Sequence, residues 1–573
     1  MKKYARQLLI LLLMVIVTTC CTMAWPRLLA VLVDTAIPAQ NKGQVFLACG
    51  LMLAVAGVGL LCGIMKSRFS AYIAMSIGRD LRSRVFTKVI SFSRSEIDRF
   101  SVSSLIARTN KDVAQIQIFL NECLAIALSA PLLCITSVIM CVAQSPSLSQ
   151  VLLVAIPVII LIVSMVGWIC LPLNLKIQNC SDRINLLTRE KLTGVRVIRA
   201  FGTMKIENDR FDTVNHENRR LNLKSQRILG LINALLTLVL ALSAAAVMYL
   251  AAVQSTAGGG DYTTGEVMAI VTYVLQIMYA VVMLTVVFLT LPAAAASARR
   301  VKEVLDSRAE IVSAEHPAEP GSVKGQLEFR DVSFTYPGSD TPAIQGLSFT
   351  AAPGETTAII GGTGMGKTTI VNLIPRLYDV TEGSVLVDGI DVRDYDLSVL
   401  RNKIGFVPQM ANLFAGTVRD NIAFGNRNAG GEEIEEAAAV AQSTDFILTK
   451  EDGFDARVAQ RGSNLSGGQK QRLAIARALV RKPEIYVFDD SFSALDFKTD
   501  KALRGALKEQ LAAREATAVI VAQRVSTVID ADRIIVVDAG RIMGIGKHDE
   551  LMKTCPVYRE IAESQLGREE AVS

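Results

Sequence analysis

Six stretches of the chain, roughly 8–33, 45–65, 121–143, 151–171, 231–253 and 267–291, are apolar over a length that spans a bilayer. A helix needs about 20 apolar residues to cross the hydrocarbon core. All six lie within the first 291 of 573 residues. The average of 51% apolar and 20% charged residues therefore blends a membrane half with a soluble half. The start, "MKKYARQLLILLLMVIVTTCCTMAWP", imitates a signal peptide with its basic residues and apolar run. It lacks a small-x-small cleavage site followed by a soluble domain, so it reads as a retained first transmembrane helix.

Charge in the connections orients the spans. Residues 66–120 carry ten Lys and Arg, and residues 173–230 carry twelve. The connections 34–44, 144–150 and 254–266 carry one between them, Lys42. Basic residues favour the cytoplasmic side. The two long connections, and the N-terminus with Lys2, Lys3 and Arg6, are therefore cytoplasmic. Both long connections show apolar residues at three- and four-residue spacing. Membrane helices are expected to run past the bilayer as stalks and to turn back near 94–105 and 199–207. The net charge of +6 is small, and no basic run of five residues occurs, which speaks against a nucleic-acid partner. Eight of the ten cysteines lie in apolar stretches and no CxxC is present, so free thiols are expected. Arg27 and Asp34 at the outer end of the first span are candidates for an outer gate. Glu122 opens the third span and reads as solvated. Tyr273, Tyr279 and Phe288 on the last span read first as packing residues.

Residues 1–307 form the expected membrane domain, 308–326 a polar linker, and 327–573 an α/β domain of alternating strands and helices. "IIGGTGMGKTTI" (359–370) follows an apolar strand and opens a helix. It fits the P-loop pattern with Gly361, Gly362, Thr363, Gly364, Gly366, Lys367, Thr368 and Thr369. The glycines let backbone N–H groups curl around phosphates. Lys367 supplies charge to the terminal oxygens, and the Thr368 hydroxyl faces magnesium.

"LSGGQ" (465–469), "EIYVFD" (484–489) and Gln409 in "GFVPQ" follow in the order of ABC transporter nucleotide-binding domains. Segments such as "RVIRAF" and "SARRVKEVLD" extend the likeness into the membrane half. The whole chain resembles a bacterial ABC exporter half-transporter of the type IV transmembrane fold. The resemblance implies six transmembrane helices with long cytoplasmic extensions, two intracellular coupling loops and a P-loop ABC ATPase domain, in the cytoplasmic membrane. It implies ATP and Mg2+ as ligands and export of a small, drug-like or lipid-like substrate. Tyr336 in "VSFTYPG" would stack on adenine. Thr368, Gln409 and Asp489 would hold magnesium. Ser466, Gly467, Gly468 and Gln469 would face ATP bound to an opposing subunit, and Asp496 would line that interface.

Three positions depart from the family pattern. Asp490 stands where the water-activating glutamate is usual. Gln523, in "IVAQRVST", stands where histidine is usual. Gln460, in "VAQRG", stands where glutamate is usual. The first two fall on the composite site that uses this chain's own P-loop, whereas LSGGQ serves the other site. The resemblance therefore implies the degenerate-site subunit of a heterodimer, with Asp490, Gln523 and Gln409 as its catalytic group. The partner would carry the missing Glu and His and an altered signature. A homodimer with a working Asp490 is the alternative. Six spans argue against a non-transport ABC ATPase, and fusion of the two domains argues against a common importer.

Overall fold

The computed structural model describes residues 2–256, 262–318, 321 and 323–569. Residues 257–261 of the fifth connection, and 319, 320 and 322 of the linker, lie outside the described residues. Contacts divide the chain into two compact units. One comprises Met1–Ile90 and Val102–Ser307, the other Ser91–Ser101 and Arg308–Ser573.

The membrane unit holds six helices long and apolar enough to span a bilayer. They are α1 (Ala5–Ala36), α2 (Lys42–Ile90), α3 (Val102–Gln144), α4 (Leu148–Thr193), α5 (Met204–Thr256) and α6 (Thr264–Asp306). At 1.5 Å per residue, the 49 residues of α2 reach about 73 Å, more than twice a bilayer core. The stalks expected from the connections are thus continuations of the spanning helices. Helix α1 packs along α2, α4 along α5, and α6 along α3. Lys3 Nζ and Tyr4 Oη reach Asp80 on the α2 stalk at 3.1 and 3.0 Å, which ties the N-terminus to the cytoplasmic side. The second turning point begins earlier than expected. Gly194 closes α4, with its N–H on the Glu190 carbonyl at 2.8 Å, and a short helix follows at Val195–Ala200.

Polar residues of the spans are used in helix packing. Asp34 accepts from Thr263 Oγ1 at 2.6 Å and from Gly265 N at 2.7 Å, so it closes the first turn of α6. Glu122 accepts from Thr290 Oγ1 of α6 at 2.7 Å rather than being merely solvated. Tyr273 is buried and donates to the Met23 carbonyl at 3.2 Å, a packing role. Tyr279 and Phe288 are exposed. All ten cysteines are free.

In the second unit the strands are β1 (Leu327–Phe334), β2 (Ile344–Ala351), β3 (Thr356–Ile360), β4 (Glu382–Val387), β5 (Ile390–Asp391), β6 (Ile404–Val407), β7 (Gly416–Thr417), β8 (Arg457–Val458), β9 (Ile485–Asp489), β10 (Thr517–Ala522), β11 (Arg533–Asp538) and β12 (Arg541–Gly546). One antiparallel sheet has the order β2-β1-β4-β5. The larger sheet has the order β12-β11-β3-β10-β9-β6 and is parallel from β11 to β6. Its central strands, "TTAII", "IYVFD" and "TAVIVA", are almost wholly buried, as strands covered on both faces must be. The short helix Arg94–Phe100 belongs to this unit. Its buried Glu96 accepts from Ser93 N at 2.5 Å and from Glu310 N at 3.0 Å. The sequence offers no reason to detach these residues from the membrane part.

Candidate functional site

Of the residues singled out in the ATPase half, the P-loop, Gln409, Asp489, Asp490 and Gln523 collect at the carboxyl edge of the parallel strands, where open α/β sheets bind ligands. Strands β3, β10, β9 and β6 end level. Val521 pairs with both Ile359 and Asp489, and Val407 pairs with Phe488. The P-loop leaves β3, Gln523 follows β10, Asp489 and Asp490 close β9, and Gln409 lies two residues beyond β6.

Lys367 opens the helix α7 (Lys367–Leu373) and is buried. Its Nζ donates to the carbonyls of Gly361 and Gly362 at 2.7 and 2.6 Å. Burial pushes its pKa down, opposed by Asp490 and Asp489. Thr363 and Gly364 form the turn of the loop. Gly364 and Gly366 adopt φ of +82° and +91°, open to glycine at little strain. Thr368 Oγ1 donates to Asp489 Oδ1 at 3.0 Å. The Tyr336 hydroxyl shares a 2.9 Å hydrogen bond with Thr369 Oγ1, and its ring stands edge-on to Phe334 and Tyr378.

Asp490 holds a left-handed backbone conformation, φ 46°, with its N–H on the Val521 carbonyl at 3.0 Å. Its Oδ2 accepts from two amides, Gln523 Nε2 at 2.9 Å and Gln409 Nε2 at 3.3 Å. Burial raises the carboxyl pKa of both aspartates, and for Asp489 the neighbouring Asp490 adds to the rise. A carboxyl whose folded pKa exceeds its unfolded one favours folding through its protonated form. That contribution is present below the unfolded pKa and is lost as pH rises through the folded pKa. Asp490→Asn should therefore raise the thermal unfolding midpoint of the chain without added nucleotide at neutral pH, and the gain should vanish in acid. An equal shift at every pH would mean that packing, not charge burial, is responsible.

The signature opens helix α8 (Gly467–Leu479). Ser466 and Gln469 form a reciprocal cap, with Gln469 N on Ser466 Oγ at 3.3 Å and Ser466 N on Gln469 Oε1 at 3.1 Å. Gly468 lies against the backbone of "SALD": a Cβ there would sit 3.0 Å from the Ala494 carbonyl. Asp496 caps the next helix through Thr499 N at 3.0 Å. Gln460 begins a tight turn whose Arg461 has φ 56°. Sequence reading missed Gln471. Its Nε2 donates to the Gln409 carbonyl at 3.3 Å, and its Oε1 accepts from Ala494 N at 3.2 Å. It is buried and joins the segments around Gln409 and Asp490. Its only sequence signal is its place two residues after the signature on the same helix.

The oxygen donors Thr368 and Asp489 suit a hard divalent cation. The buried ammonium and a loop without room for a Cβ at Gly361 or Gly366 suit the phosphates of a nucleotide. Family comparison decides the assignment: residues 8–281 match the ABC transporter transmembrane region and residues 344–493 match the ABC transporter family. An uncharacterized ABC transporter ATP-binding protein of Mycobacterium tuberculosis is 40% identical, over 94% of this chain and 92% of the relative. The chain belongs to the ABC transporter family. An uncharacterized ABC transporter ATP-binding protein of Bacillus subtilis is 35% identical, covering 95% of this chain and 94% of that one. An ATP-dependent lipid A-core flippase of Yersinia pestis is 33% identical, covering 94% and 92%. A bacterial Atm1-family ABC exporter solved with ATP bound matches with a TM-score of 0.83 at 27% identity, over 99% of this chain and 98% of that one. This ABC exporter is thus a multi-pass protein of the cytoplasmic membrane whose ATPase domain is cytoplasmic. ABC ATPase domains bind ATP, normally with Mg2+, and hydrolyse it, and ABC exporters act as dimers.

Proposed function

We propose that this exporter is one half of a heterodimer, and that the ATP site on its own P-loop turns over slowly. Its LSGGQ segment would complete the productive site on a different partner chain, one with Glu and His where this chain has Asp490 and Gln523. The observation that carries this reading is the double engagement of Asp490 Oδ2 by Gln409 and Gln523.

Tyr336 stacks on the base. The N–H groups of Gly361, Gly362, Thr363, Gly364 and Gly366, with Lys367, hold the phosphates. Thr368, Asp489 and Gln409 would hold magnesium, which when bound would neutralise charge on the phosphate oxygens. Ser466, Gly467, Gly468 and Gln469 clamp the partner's nucleotide. In-line hydrolysis needs a positioned water and a base to take its proton. Asp490 is one methylene shorter than glutamate, and its Oδ2 already accepts two amide protons. Gln523 can donate a hydrogen bond but cannot become cationic.

The transported molecule is small or amphipathic, drug-like or lipid-like. A cavity of about 790 Å³ in the membrane unit, within the usual range for ligand sites, supports that class. The test is steady-state ATP hydrolysis by the purified chain without a partner. Turnover should match that of a Lys367→Ala blank. Brisk hydrolysis by the native chain would overturn the reading and favour a homodimer.

A further inference from the structure

The cavity in the membrane unit is lined by residues of α1, α2, α3, α5 and α6. Most of its wall is apolar, as at Leu240 and Met283. Among the described residues that line it, one is charged: Lys66, and no Asp or Glu lines it as well. A basic residue on the wall of a mainly apolar cavity, with no carboxylate on that wall, is a candidate contact for a ligand's negative charge. The hydroxyls of Thr18, Thr22 and Ser129 also line the cavity, but each donates its proton to a carbonyl of its own helix at 2.7–2.8 Å. They offer a guest oxygen acceptors, not charge. Lys66 immediately follows the apolar segment 45–65, where the basic 66–120 connection begins. That places it at the cytoplasmic end of the apolar segment.

We infer that the cavity takes an amphiphile with an anionic head, its apolar chain against the helices and its phosphate or carboxylate at Lys66. This rests on the amphipathic-substrate reading above and narrows it, disfavouring cationic drugs. The anion can come from a membrane lipid or from a free amphiphile.

The test uses the full chain in phosphatidylcholine nanodiscs and a diazirine-tagged dodecyl phosphate, with crosslinks mapped by mass spectrometry. Crosslinks should fall on cavity residues. Unlabelled dodecyl phosphate should compete at least about tenfold better than dodecyltrimethylammonium. Lys66→Gln should erase that preference and Lys66→Arg should keep it. Competition by phosphatidylglycerol placed in the disc would identify lipid as a source, whereas competition by dodecyl phosphate alone would identify a free amphiphile; either supports the inference. Equal competition by both charges, or a preference that survives Lys66→Gln, overturns the anion assignment while cavity crosslinks keep the amphipathic reading intact. If no probe crosslinks within the cavity, the amphipathic reading fails and the inference with it. Neither result touches the ATPase argument, which is read from hydrolysis alone.

Discussion

The Asp490→Glu, Gln523→His double variant of the purified chain should hydrolyse ATP about a hundredfold faster than the native chain. The figure follows from geometry: displacing a reacting group by about 1 Å costs about that factor, and one methylene restores a reach of that order. The longer side chain would carry the carboxylate beyond the point where Gln409 and position 523 now converge on Asp490 Oδ2. The histidine would remove one of the two amide donors and add a group that can carry positive charge towards the γ-phosphate. The single Asp490→Glu variant should recover only part of the rate, because Gln523 still supplies no group that can carry positive charge towards the γ-phosphate. Introducing Lys367→Ala into the double variant should return it to the blank, which assigns the gained activity to this P-loop. A double variant that stays at the blank would sink the positional argument and turn attention to Gln460.

How much of this was legible in the sequence depends on whether an interaction is local. The six spans were legible because bilayer thickness imposes a length on an apolar run, and the stalks because their periodicity continues beyond it. The family was legible because phosphate binding requires glycines and a lysine at set spacing. Contacts between distant segments were not. Nothing near Asp34 announces that it caps α6, more than 200 residues away. The Arg94–Phe100 helix joins the ATPase unit through Glu96 and Glu310, a pairing with no periodic signal. The two amide bonds to Asp490 come from loops 81 and 33 residues distant, and they follow from the strand order β10-β9-β6, which local patterns do not specify. Lys66 reads in sequence as the first basic residue of a cytoplasmic connection, and only the packing of five helices puts it on the wall of a cavity.

The same distinction separates glycines that look alike in the P-loop. Gly361→Ala should cut affinity for a fluorescent ATP analogue by about a hundredfold, whereas Gly362→Ala should stay within about tenfold of the native chain. A Cβ at Gly361 would lie 2.1 Å from the Val537 carbonyl oxygen. That oxygen belongs to β11, which pairs with β3 immediately before the loop, so neither partner can yield by rotating a side chain. The loop itself must move, and forcing an extra methyl into a packed site costs about 1–3 kcal/mol. Movement matters here because the Gly361 carbonyl is one of the two that hold Lys367 Nζ. A displaced anchor misdirects the ammonium from the phosphates, and a cost of about 3 kcal/mol, the upper end of that range, is about a hundredfold in affinity. At Gly362 a Cβ would meet only the Met365 side chain, at 3.5 Å, an ordinary contact with a flexible neighbour. Normal binding by Gly361→Ala would show that the loop tolerates the shift, and equal losses in the two variants would show that the Val537 contact does not set them apart. Thermal unfolding of both variants separates local displacement from collapse: Gly361→Ala should lower the midpoint yet retain a cooperative transition.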